Sequence, residues 1–146
     1  MQAIKVSTSV PLRALARAAI LLCAAWAGPA LSQEIKVALS GMQEIPPVTT
    51  AATGTGTVNV GADKSLSGGV TVAGLEVTAA HIHEAGPGKN GPIVVPLTKV
   101  SDTVWNVPPG TKLTDAQYES YRAGNLYFNI HSAAHKAGEI RGQIKP

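Results

Sequence analysis

Leu126-Tyr127-Phe128-Asn129-Ile130-His131, followed after a short loop by Glu139-Ile140-Arg141-Gly142-Gln143-Ile144, decides the fold. In the first stretch Leu126, Phe128 and Ile130 fall on one face and Tyr127, Asn129 and His131 on the other, the period-two alternation of a half-buried strand. The second stretch alternates likewise, with Glu139, Arg141 and Gln143 on its polar side. A hairpin turning through residues 132–138 would set these two polar faces side by side. Phe128, Ile130, Ile140 and Ile144 would then point into the core.

Working outward, the chain reads as short strands punctuated by glycine and proline. Glu34–Leu39 alternates, Thr53–Val60 is rich in Thr, Val and Gly, and Leu66–Val72 follows an Asp63-Lys64 turn. Strands are also expected over Glu76–His83, Ile93–Leu97 and Thr103–Val107, with Pro96 placed at a strand end or on an edge, where its missing N–H costs nothing. One helix is signalled. Thr114-Asp115-Ala116-Gln117 is a capping box, Gly124 stands where a left-handed residue ends a helix, and the helix runs between Asp115 and Ala123. Seven or eight strands, one helix in a connection and no βαβ rhythm predict an all-β fold, an antiparallel Greek-key-like β-sandwich.

Residues 1–32 read as a signal peptide and residues 33–146 as one domain. Lys5, Arg13 and Arg17 precede an apolar run, Ala18 to Ala27, and Ala30-Leu31-Ser32 offers a peptidase site before Gln33. The run is shorter than the about 20 apolar residues of a membrane span. The expectation is therefore an exported protein, periplasmic or secreted, with no membrane span in its mature form. Of the twelve Lys and Arg, three lie in this segment, leaving nine against nine Asp and Glu, so the net charge of +3 belongs to the segment and not to the domain. A neutral domain without a basic run excludes a nucleic-acid footprint. Cys23, the one cysteine, also lies in the segment, so the domain has neither disulfide nor thiolate.

The chemistry-bearing residues are concentrated. All four histidines fall in two clusters, His81-Ile82-His83 and His131 with His135. An H-x-H on a strand turns both imidazoles to one face, and imidazole is the commonest neutral ligand of zinc, copper and nickel. The metal reading takes His81, His83 and His131 as ligands and His135 as an optional fourth. The competing reading has His81 and His83 cap a strand end and bond to loop carbonyls between Gly86 and Gly91. Tyr127, Asn129, Glu139 and Arg141 are expected to support the site or the fold rather than to ligate; for Arg141 a partner is sought in Glu44. Glu84 and Glu139 offer oxygens but read first as surface charges. With nitrogen ligands and no thiolate, copper ranks above zinc. No serine stands in a nucleophile elbow and no glycine-rich turn opens a helix, so no catalytic residue is assigned.

Taken in order, Leu39-Ser40-Gly41-Met42-Gln43-Glu44-Ile45-Pro46-Pro47, Gly54-Thr55-Gly56, Ala79-Ala80-His81-Ile82-His83, Gly88-Lys89-Asn90-Gly91-Pro92, Leu126 to His131 and Gly138 to Ile144 closely resemble the chordin-like (CHRD) domain. The resemblance spans nearly all of residues 33–146. It implies a binding module, since the family is named from an extracellular antagonist of bone morphogenetic proteins and also occurs in exported bacterial proteins, the type this single-domain chain resembles. The implied partner is an extracellular or periplasmic protein or ligand. A more distant likeness, an H-x-H on a sandwich strand joined by a later histidine, is to the copper site of superoxide dismutases, and the expected sandwich is of the immunoglobulin or superoxide dismutase-like kind. That likeness makes a copper redox enzyme the alternative to a binding module, although the chain lacks that family's disulfide cysteines and shows no histidine-rich zinc loop. A purely structural or adhesive envelope domain is the third reading.

Overall fold

The computed structural model describes residues 33–146, so the expected export signal lies outside the described residues. Among the described residues nine strands and one α-helix follow in the order β1 Ile35–Ser40, β2 Thr53–Val60, β3 Leu66–Ala73, β4 Ala79–Glu84, β5 Ile93–Pro96, β6 Thr98–Lys99, β7 Val104–Asn106, α1 Asp115–Arg122, β8 Leu126–His131 and β9 Ile140–Ile144, with a single 3-10 turn at Gly41–Gln43. Every pairing is antiparallel, in the order β5-β4-β8-β9-β1-β2-β3-β7-β6. This is the all-β fold expected.

The nine strands form one continuous sheet, yet it folds over on itself. β1 and β9 share a single register pair, Ser40 with Arg141, which makes a corner between two halves. Phe128 on β8 and Gly56 on β2 are separated by two intervening strands, but a Cβ placed on Gly56 would lie 2.6 Å from the Phe128 ring. The halves therefore face each other across one core, with Phe128 filling the space glycine leaves. Strands β5 and β6, at opposite ends of the sheet order, are joined through Leu97 alone, whose N–H bonds to Ala80 O at 2.9 Å. The chain thus passes from one end of the sheet order to the other through a single residue, and the sandwich is nearly a closed barrel.

Alternation explains which residues fill that core. Val37 and Leu39 of β1, Val58 of β2, Val70 and Val72 of β3, Ile82 of β4 and Ile140 and Ile144 of β9 are buried, together with Leu126, Phe128 and Ile130. The helix has the expected capping box, with Thr114 Oγ1 accepting from Gln117 N and Gln117 Oε1 accepting from Thr114 N. Gly124 follows at φ +72°, and Tyr118 and Tyr121 turn towards the core. Among the described residues no helix is long and apolar enough to cross a membrane.

Two elements differ from expectation and one feature agrees with it. β4 begins at Ala79 rather than Glu76, because the backbone bends at Gly74-Leu75 before Thr78 N reaches His131 O. β6 is only two residues long, too short to show alternation in the sequence. Pro96 ends β5, an edge strand, where proline was expected.

Candidate metal centre

The β8–β9 hairpin forms as read, pairing Tyr127 with Gln143 and Asn129 with Arg141. On its other side β8 pairs with β4, setting His83 opposite Tyr127, His81 opposite Asn129 and Ala79 opposite His131. Period two then assembles one polar face across β4, β8 and β9, carrying His81, His83, Tyr127, Asn129, His131, Arg141 and Gln143, on the side away from Ile82, Phe128 and Ile140. This face is covered. Tyr127, Asn129, His131 and Arg141 are all buried, so every residue of β8 is out of solvent.

His81, His83 and His131 converge, each offering one ring nitrogen within 4.8 Å of the others. His81 Nδ1 lies 3.0 Å from His131 Nε2. The remaining nitrogens are set by backbone. His83 Nδ1 is 2.9 Å from Gly91 O and His131 Nδ1 is 3.0 Å from Lys136 O; a carbonyl only accepts, so both Nδ1 atoms carry the proton. Neutral His83 and His131 therefore present Nε2 lone pairs, and His83 Nε2 is buried with no hydrogen-bond partner. Burial, the largest cause for each ring, holds all three histidines below their ordinary pKa, and neighbouring rings add to this at His81. A pocket that keeps imidazole neutral keeps it able to ligate. A register shift between β4 and β5 at Ile82/His83 lies beside the centre, where bulges commonly re-aim a side chain.

The surrounding residues divide sharply. Tyr127 stacks on His83, with centroids 5.1 Å apart and planes at 17°, and Arg141 lies 3.5 Å from the centroid of the Tyr127 ring. Because β8 runs between β4 and β9, they occupy opposite faces of that ring. Arg141 gives its hydrogen bonds to Asn90 Oδ1 and Gln143 Oε1, not to Glu44. Glu44 is itself buried, with Oε1 unpartnered, and burial pushes its carboxyl up to about 7 although Arg141 and the Ile45 N–H draw it down. Glu139 is buried rather than a surface charge, accepting from Thr50 at 2.7 Å and Ser132 at 2.5 Å. Burial alone would raise its pKa, but those two hydroxyls and His135 hold it below the ordinary value. Glu84 accepts from Ser120 at 2.5 Å.

His135 does not join the centre. The turn bonds Ser132 N to His135 O, Gly138 N to His135 O and His135 N to Ser132 Oγ hold it in the β8–β9 loop. There it lines a separate hollow with Glu44, Pro46 and Gly138. Gly91 O lies in the loop between Gly86 and Gly91 whose carbonyls were expected to bond His81 and His83, and it meets His83 alone; Lys136 O, which fixes the His131 tautomer, escaped the sequence reading because backbone atoms carry no residue signature. Asn90 and Gly91 do stand in the Gly88–Pro92 motif.

Residues 35–144 match the family model of the CHRD domain. No curated protein and no solved structure gives a significant match. The match covers all nine strands, both arms of the histidine centre and the loops that roof it: the chain belongs to the CHRD domain family.

Proposed function

We propose that this CHRD domain is an exported binding module that holds a transition metal through His81, His83 and His131, with copper preferred to zinc. The observation that carries the reading is the convergence of three neutral imidazoles, one of whose lone pairs, His83 Nε2, is buried and unpartnered. A buried polar atom without a partner is costly unless something fills it, and a metal ion suits an imidazole lone pair. His83 and His131 would ligate through Nε2, each steadied by a carbonyl on its far nitrogen, the arrangement common to metal-bound histidine. All-nitrogen donors rank Cu(II) above Zn(II) at equal availability. Export rests on the pattern of residues 1–32.

The rival reading, in which the rings only close loops, draws on the same two carbonyl bonds and on the His81–His131 contact. Cu(II) titration of the purified protein, followed by electron paramagnetic resonance, separates the two. A saturable site with nitrogen hyperfine structure, absent from a folded His81→Ala variant, supports the metal module; equal weak binding by both proteins supports the structural role.

A further inference from the structure

Among the described residues Arg141 is the largest side chain that is essentially out of solvent, 2% exposed, and none of their carboxylates bonds to it. A buried guanidinium without a paired anion is expensive, so its neutral contacts must hold it firmly. Those contacts lead to one place. The guanidinium stacks on Tyr127, whose opposite face stacks on His83. Its Nη1 donates to Asn90, which donates in turn to Ile45 O, and Asn90 precedes the glycine whose carbonyl accepts from His83. The Gly91 N–H donates to Tyr127 Oη at 3.1 Å, closing the circuit. Nη2 donates to Gln143, and Gln143 Nε2 donates to Ala85 O at 3.0 Å, so the loop from Ala85 to Gly91 is tied to β9 at both ends.

We propose that Arg141 is a positioning residue for the histidine centre: acting through Tyr127 and Asn90, it fixes the plane and tautomer of His83, so that Nδ1 keeps the proton and Nε2 is presented to the ion. The part concerning the ion rests on the metal reading above, whereas the tautomer is a property of the metal-free protein.

The test uses Arg141→Met, Arg141→Lys and Asn90→Ala in the full domain. Asn90 is exposed, so Asn90→Ala cuts the link to the loop without disturbing the buried charge and keeps the test decisive if an Arg141 variant fails to fold. Long-range ¹⁵N–¹H correlation on metal-free protein reports which His83 nitrogen is protonated. The wild type should show one tautomer with Nδ1–H. The folded variants should show mixed or exchanging tautomers, and Arg141→Lys should not restore the single form, because a point charge lacks the planar fork. Copper affinity should fall by ~10–100-fold in Arg141→Met, the usual cost of losing an outer partner of a ligand. Folded variants that all keep the wild-type His83 tautomer overturn the proposal. Wild-type protein with the single tautomer but no copper binding would defeat the metal reading alone.

Discussion

His81 Nδ1 and His131 Nε2 stand 3.0 Å apart although fifty residues separate them, and the pairing of β4 with β8 brings them together. His131 already spends its Nδ1 proton on Lys136 O, so the proton between the two rings belongs to His81. That proton occupies the position a shared ion would take. An ion bound through these two atoms would therefore require the His81 proton to move from Nδ1 to Nε2, with no net proton released.

The first expected outcome concerns the ligand set. His81→Ala, His83→Ala and His131→Ala should each weaken Cu(II) binding by more than the ~10–100-fold that loss of an outer partner costs, because each removes a donor atom. His135→Ala should leave affinity near wild type, since its ring is not among those that converge. Isothermal titration checks the series, and a His135→Ala loss as large as that of His81→Ala would show the wrong histidines have been chosen.

The second concerns pH and metal. Burial holds the three rings below 6.5, so in the folded protein they stay neutral at and somewhat under that pH. Copper affinity should therefore be flat from pH 8 to 6.5 and fall only below it. Stability of the metal-free protein follows the same sign: the unfolded rings take up protons near 6.5 while the folded ones resist, so their contribution is present above 6.5 and lost as pH falls through the folded values. An affinity already falling between pH 8 and 7 would contradict the depressed values.

Much of this geometry was legible because it is local. Period two in Leu126–His131 and in β9 fixed both faces and their pairing, and the H-x-H placed two imidazoles together before any fold was known. Thr114 and Gln117 marked the helix start within one turn of chain. Burial of the polar face was not legible, because it depends on loops distant in sequence closing over it. Arg141 finds Asn90 at a separation of 51 residues and Glu139 finds Thr50 at 89. No pattern along the chain reports such contacts, which is why Glu139 read as a surface charge and Arg141 was matched to Glu44.

The third expected outcome tests how tightly that cover is packed. Gly138 has φ +135°, and a Cβ there would lie 2.3 Å from Asn129 Oδ1 and 2.7 Å from Glu44 Oε1. Gly138→Ala combines a backbone conformation unsuited to L-residues with displacement of two buried side chains, and should cost about 1–3 kcal/mol. Urea unfolding measures it. A variant as stable as wild type would mean that Asn129 and Glu44 are not held against this glycine.

The last concerns Glu44. Its Oε1 and the Oδ1 of Asn129 both pack on Gly138, both are buried, and neither has a hydrogen-bond partner. Two bare acceptors in one place favour a proton on the carboxyl, in keeping with a pKa pushed up by burial from 4.5 to about 7 against the pull of Arg141. The folded value lies above the unfolded one, so the contribution is fully present below 4.5 and is lost as pH rises through 7: the unfolded chain ionises freely while the folded one must ionise a buried group. Glu44→Gln keeps the shape and a donor but cannot ionise. The stability of the variant relative to wild type should grow between pH 4.5 and 7 and level off above, reaching on the order of 1–3 kcal/mol by pH 8. The histidine contributions run the opposite way with pH but are common to both proteins, so they cancel in the difference. Urea midpoints at half-unit steps from pH 4.5 to 8 give the curve. A difference independent of pH would mean that Glu44 is ionised throughout and that its buried oxygen is satisfied by Arg141 after all.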